Sequence, residues 1–122
     1  MIYEKELSDK IIGCAFEVYN KLESGYIEKV YENALMVEFS INDIEAKSQV
    51  PIKVLYKNHV VGDYLADIII ENKIVLELKS CIEIHDAHIA QLINYLTATK
   101  IRVGYIINFG NEKKLQFKRI VK

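Results

Sequence analysis

One stretch limits the fold more than any other: residues 66–80, where two runs rich in Ile, Val and Leu flank Glu71-Asn72-Lys73. Runs of that composition form buried strands, and Asn is a favourable turn residue, so the stretch predicts a hairpin turning near Asn72. A turn centred there sets Asp67 opposite Glu77. Side chains alternate across a strand, so Asp67, Glu77 and Lys79 share one face while Ile68, Ile70, Leu76 and Leu78 take the other. Three charges thus stand on one side of an otherwise apolar hairpin.

Such an arrangement is unfavourable by itself. Two carboxylates about 5 Å apart repel by roughly 3 kcal/mol at an effective dielectric near 20. A bound Mg²⁺ or Mn²⁺ offsets the repulsion, since carboxylate oxygens suit hard divalent cations, and an adjacent lysine can then orient or deprotonate a water. The bland alternative is an exposed ladder in which Lys79 pairs with Glu77 or Asp67, a kind of contact that contributes little. The apolar character of both strands weighs against it, because charge in a covered sheet is costly unless paired or metal-bound.

The remainder of the chain reads as helices and strands around this hairpin. From Tyr3 to about Leu22, the residues Leu7, Ile11, Cys14, Ala15, Val18, Tyr19 and Leu22 recur at helical spacing. Ser24-Gly25 interrupts that pattern. A second helix is expected from about Ile27 to Ile41, with Ile27, Val30, Tyr31, Ala34, Leu35 and Ile41 as its buried stripe. The strand expected from Ala46 to Tyr56 contains Pro51, which cannot donate to a ladder, so it belongs at an edge or at a bulge. A turn at Lys57-Asn58-His59 leads to a strand from Val60 to Ile70, and Lys73 to Leu78 completes an antiparallel meander. Helical spacing returns from Asp86 to Thr99, with Ile89, Leu92, Ile93 and Leu96 on the buried side. A strand from Val103 to Phe109 follows. Because a helix joins it to the third strand, the two are expected to be parallel neighbours linked by a right-handed crossover. A turn at residues 108–111 and a strand from Leu115 to Val121 end the chain. The fold class is therefore α/β, a single mixed β-sheet of an antiparallel meander plus a parallel crossover strand, flanked by helices.

With 122 residues, 51% hydrophobic and 27% charged, the chain is expected to form one domain over residues 1–122 with a single core. A net charge of −1 gives no overall attraction to nucleic acid, although it conceals a basic run of Lys113, Lys114, Lys118, Arg119 and Lys122 that is a candidate for phosphate contact. Cys14 and Cys81 lack zinc-finger spacing and read as reduced, structural residues. No apolar run is long enough to span a bilayer, and the start of the chain at Met1-Ile2-Tyr3 lacks the layout of a signal peptide. A cytoplasmic location without membrane association is the expectation.

Gly25, Glu28 and Tyr31 match the GxxExxY pattern, and together with Asp67 and Glu77-Leu78-Lys79 they make nearly the whole chain resemble the GxxExxY family of small bacterial and archaeal proteins. These look like members of the PD-(D/E)XK nuclease superfamily. The resemblance implies a restriction-endonuclease-like core, a mixed sheet flanked by helices with a metal-binding Asp and an ExK motif on adjacent strands. Ala66 stands where the name-giving proline would be, and that proline is not a ligand. The function implied is a metal-dependent phosphodiesterase acting on nucleic acid, DNA favoured. Asp67 and Glu77 would hold Mg²⁺ or Mn²⁺, aided by Glu28 and the carbonyl of Leu78, while Lys79 positions the water.

Neighbouring residues extend the candidate site. Glu28 and Glu32 lie one turn apart on roughly one helix face, and either can reach the sheet, while interaction with the helix dipole is the bland reading of Glu28. The resemblance selects Glu28 as the metal and catalytic residue. Tyr31 reads as a packing residue with its hydroxyl bonded. Gln91 and Tyr95, at i and i+4, share a face and are similar to the QxxxY motif that follows the ExK strand in RecB-type nucleases, which implies substrate contact. The bland reading is the polar edge of an amphipathic helix. His85 and His88 have spacing for a metal pair but no third ligand, and His88 is a candidate for substrate contact instead. Two rival functions keep the same fold: a non-catalytic nucleic-acid-binding module, and an interaction protein whose charged face contacts a protein partner or a second copy in a homo-oligomer.

Overall fold

The computed structural model describes residues 2–122; Met1, at the head of the stretch read for a signal peptide, lies outside them. The elements run α1 (Lys5–Leu22), α2 (Glu28–Ile41), β1 (Ala46–Tyr56), β2 (His59–Ile70), β3 (Ile74–Lys79), α3 (Asp86–Thr99), β4 (Val103–Asn108) and β5 (Gln116–Val121). One five-stranded sheet has the strand order β1-β2-β3-β4-β5. Strands β1, β2 and β3 form the antiparallel meander, β3 and β4 are parallel, and β5 returns antiparallel to β4. The parallel pair follows from α3, which carries the chain back over the sheet.

Local chemistry accounts for most boundaries. In the β2–β3 hairpin, Glu71 and Asn72 adopt φ of 50° and 56°, and the Lys73 amide donates to the Ile70 carbonyl at 2.8 Å. Left-handed backbone at both central positions suits a tight hairpin, and Asn tolerates it well. The turn fixes the pairs Ile70 with Ile74, Ile69 with Val75, and Ile68 with Leu76. Pro51 lies on β1, an edge strand, where its missing donor costs no ladder bond.

The two sides of the sheet are covered differently. Helices α1 and α2 pack on Ile68, Ile70, Ile74, Leu76, Leu78 and Ile107, whereas α3 packs on Ile69, Val75 and Ile106 through Leu92, Tyr95 and Leu96. Central strands covered on both faces explain the near-continuous apolar runs. In α1 the buried stripe is the expected one, with Ile11, Cys14, Ala15 and Val18 inward. In α2 it is rotated. Tyr31, Leu35 and Phe39 form an i+4 row with Glu32 beside it, while Ile27 and Ile41 are 73% and 68% exposed. Ile27 is the extended N-cap residue, ahead of the helical period, and Ile41 lies half a turn around from Phe39. On α3, Tyr95 is buried and Ile93 is exposed, again a rotation of the stripe toward the sheet. Among the described residues, no helix is long and apolar enough to cross a membrane.

Candidate active site

The hairpin splits where its charges begin. Pairing between β2 and β3 ends at Ile68 and Leu76, yet both strands continue. Beyond that point β2 stays paired with β1, Ala66 facing Val50, and β3 stays paired with β4, Glu77 facing Ile106 and Lys79 facing Asn108. Asp67 and Glu77 stand on either side of the fork and replace the lost ladder with side-chain bonds. The Leu78 amide donates to Asp67 Oδ2 at 2.8 Å, and the Asp67 amide donates to Glu77 Oε1 at 3.3 Å. One oxygen of each carboxylate is therefore tied to the backbone, and the other has no protein partner among the described residues.

A kink in β1 and β2 opens this fork. Ile68 and Ile70 pack under α1 and α2, but Tyr64 and Ala66, at the same parity, pack on the α3 side. On β1, Ala46 packs on the first side, and Val50 and Ile52 on the second. The change of face falls at Asp67 and at Gln49, which has a φ of 52° and lies between the pairs Ser48–Ile68 and Val50–Ala66. A non-glycine residue at positive φ inside a strand is sparsely populated backbone of the kind that gathers at functional sites.

Burial makes the pair electrostatically unusual. Glu77 is 3% exposed, and its carboxyl is pushed up from 4.5 to about 8, first by burial and then by the charge of Asp67. The Asp67 carboxyl is also raised, chiefly by burial, with Glu32 and Glu28 adding to it and the Leu78 amide opposing it. Burial and the facing Asp67 charge therefore favour the protonated form of Glu77. Two hard oxygen donors carrying more negative charge than their surroundings neutralise fit a small divalent cation. Among the described residues, no group of three or more His, Cys, Asp or Glu is arranged to hold a metal. Asp67 and Glu77 are the two carboxylates there that could hold an ion, and one or two carboxylates completed by waters is a common way of binding a hard divalent cation.

The other expected residues surround the fork. Lys79 is half-buried at the end of β3 and lowers both carboxyls electrostatically. Glu28 is exposed in the first turn of α2, close enough for its charge to act on Asp67, Glu77 and His88. On α3, His88, Gln91 and Tyr95 follow i, i+3 and i+7 along one face. Gln91 Nε2 donates to the Tyr95 hydroxyl at 3.0 Å, and the phenol is raised by burial and then by the charges of Glu77 and Asp67. His88 Nδ1 accepts from the His85 amide at 3.2 Å. The spacing read for a two-histidine metal pair serves the start of α3 instead.

Two further groups lie near the fork, Glu32, which the sequence offered as the alternative to Glu28, and Asn108, which carried no sequence signal. Glu32 is the buried carboxylate of α2; it accepts from Lys29 Nζ at 2.6 Å and from Gln49 Nε2 at 2.7 Å, which ties α2 to the kink opposite Asp67. Asn108, fully buried, donates to the Cys81 carbonyl at 2.8 Å and accepts from the amides of Cys81 and Gly110, each at 3.0 Å. It anchors the chain immediately after Lys79 and Ser80. The C-terminal basic run, by contrast, is partly committed elsewhere. Arg119 donates to Ser8 Oγ, the Tyr105 hydroxyl and the Tyr3 carbonyl, so it binds α1 to the sheet and is not free for phosphate.

The pattern of Gly25, Glu28 and Tyr31 also has a physical basis. Gly25 has a φ of 122°, which a side chain would strain. The Tyr31 hydroxyl donates to the Glu23 carbonyl at 2.5 Å and accepts from the Tyr26 amide at 3.2 Å, so it closes the loop that presents Glu28.

The sequence profile of the PD-(D/E)XK nuclease superfamily matches residues 5–120. No curated protein sequence matches the chain significantly. In fold, the chain is similar to the crystal structure of SSO0001, with a TM-score of 0.63 and 19% identity over 77% of this chain and 50% of that one. The chain spans about half the length of that protein, and at this identity the likeness concerns the fold alone.

Proposed function

Because the chain belongs to the PD-(D/E)XK nuclease superfamily, we propose that it is a metal-dependent phosphodiesterase acting on nucleic acid, with DNA the favoured substrate, and that it falls in the GxxExxY group. The observation that carries this reading is the fork itself: two facing carboxyl groups, each with one oxygen held by a backbone amide and one without a protein partner among the described residues. Nucleases of this superfamily typically use divalent ions, and Mg²⁺ or Mn²⁺ would supply Lewis-acid charge and a water of lowered pKa.

Asp67 and Glu77 are the residues that would hold the ion. Their backbone-bonded oxygens fix the carboxylate planes, and the remaining oxygens serve as donors. Glu28 adds negative charge from the start of α2 and would aid in holding the ion, directly or through water. Lys79 orients the attacking water or offsets charge developing on the phosphate. Gln91, Tyr95 and His88 border the same face and make substrate contacts, the imidazole as a neutral group because burial and Lys79 lower its pKa.

The test incubates the purified protein with single-stranded, double-stranded and branched DNA and with RNA, each with Mg²⁺ or Mn²⁺, beside Asp67→Ala and Lys79→Ala. Metal-dependent cleavage lost in both variants supports the proposal. Cleavage that survives both substitutions belongs to a contaminant and removes it. Binding without cleavage, weakened by neutralising Lys113 and Lys114, identifies a non-catalytic binding module.

A further inference from the structure

Beside the fork, at the end of β3, lies a cleft of about 590 Å³ between the α1–α2 loop and the segment after β3, lined by Tyr26, Ile27, Glu28, Ser80, Ile82 and Gly110 among others. Tyr26 and Ile27 are exposed there, and Ile82 is 80% exposed. Large apolar side chains left uncovered together in a concavity of that size mark a binding surface, since small-ligand sites measure about 300–1,000 Å³.

The walls are built in advance of any ligand. The Tyr26 ring meets Tyr31 edge-on at 6.1 Å and 70°, and Tyr31 stacks on Phe109 at 4.5 Å and 7°. Ser80 Oγ donates to the Tyr26 carbonyl at 2.6 Å, joining the two sides. Gly110 packs so closely that an added Cβ would lie 2.3 Å from the Cys81 amide nitrogen. An aromatic side chain held by its neighbours loses little freedom when a flat ligand stacks on it.

Charge narrows the choice of ligand. Lys29, a cation in the wall, is held by Glu32 at 2.6 Å, and Glu28 is negative, so the cleft does not attract phosphate. It offers apolar and aromatic surface to something flat and uncharged, and its lining includes Glu28, whose charge acts on Asp67 and Glu77, and Ser80, the residue after Lys79. We propose that the cleft receives an unstacked nucleobase flanking the phosphodiester held at the fork, so that the substrate is single-stranded or frayed at the point of attack; this rests on the nuclease reading above. A paired base must first leave its stack, at a cost that a single strand avoids.

The experiment uses the full chain, with Ca²⁺ in place of Mg²⁺, and a short single-stranded oligodeoxynucleotide carrying one 2-aminopurine. Tyr26→Ala, Tyr26→Phe and Ile82→Ser alter exposed side chains, and thermal melts check that all three fold. The parent is expected to change the 2-aminopurine fluorescence and to bind the single strand more tightly than a blunt duplex. Tyr26→Ala and Ile82→Ser weaken single-strand binding about tenfold or more, whereas Tyr26→Phe, which keeps the aromatic face, stays within about twofold. Unchanged binding in Tyr26→Ala, equal affinity for the duplex, or no binding by the parent overturns the cleft assignment. If the parent binds as expected yet cleaves nothing with Mg²⁺ or Mn²⁺, the nuclease reading fails alone. If the parent cleaves and the variants bind and cleave like it, the cleft assignment fails alone.

Discussion

Replacing Glu77 by glutamine removes the titrating proton from a carboxyl that is 3% exposed, while keeping the oxygen that accepts from the Asp67 amide. In the native protein that carboxyl is raised from 4.5 to about 8, by burial first and by Asp67 second. Between those values the unfolded chain is ionised and the native state holds one more proton, so stability falls as pH rises. The contribution is fully present below pH 4.5 and is lost as pH climbs through about 8. At roughly 1.4 kcal/mol per pH unit the window amounts to on the order of 4 to 5 kcal/mol. That is a large part of the stability of a small domain. Urea denaturation of the metal-free protein in EDTA, from about pH 5 to about pH 9, is the assay. The parent should lose stability steadily across this range, and Glu77→Gln should be markedly flatter, with a residual slope at the acid end from the raised Asp67 carboxyl. Parallel profiles for the two proteins would refute the reasoning, because they would place the proton somewhere other than Glu77.

The same proton couples to metal. Calorimetric titration with Mn²⁺ near neutral pH, repeated in buffers of different ionisation enthalpy, should show release of close to one proton per ion, and affinity should rise about tenfold per pH unit below pH 8. Tyr31→Phe removes the bonds to the Glu23 carbonyl and from the Tyr26 amide; it should cost about 1–3 kcal/mol and speed hydrogen exchange at Tyr26. His88 should titrate by NMR below the usual 6.5, since burial, then Lys79 and His85, lower it, and Lys79→Met should move that midpoint upward.

The juxtaposition of Asp67 and Glu77 was legible because a hairpin turn fixes register by residue count, and Glu71 and Asn72 do form that turn. Pro51 indicated an edge strand for the same local reason. The fork was not legible. Tyr64, Ala66, Ile68 and Ile70 alternate without a break in the sequence, yet the first two pack on the α3 side and the last two on the other. The left-handed backbone at Gln49, opposite Asp67, accompanies that change, and side-chain periodicity does not record it. The choice between Glu28 and Glu32 stayed open in the sequence for a related reason: which carboxylate of α2 is buried depends on how the row of Tyr31, Leu35 and Phe39 seats on the sheet. Arg119 read as part of a basic run available for phosphate because two of its three acceptors, Ser8 and the Tyr3 carbonyl, lie more than a hundred residues away in sequence. Long-range pairing of this kind is invisible to any local pattern.

The proposed nuclease chemistry depends on an ion held at the fork. Its most direct test is the metal-dependent cleavage rate of the parent against Asp67→Asn, which keeps an oxygen able to accept from the Leu78 amide and removes only the charge. The parent is expected to cleave with Mg²⁺ or Mn²⁺ and the variant to fall by about 100-fold or more, the scale of losing a charge-stabilising group at a reacting centre. Equal rates in the two proteins, from matched preparations, would contradict it.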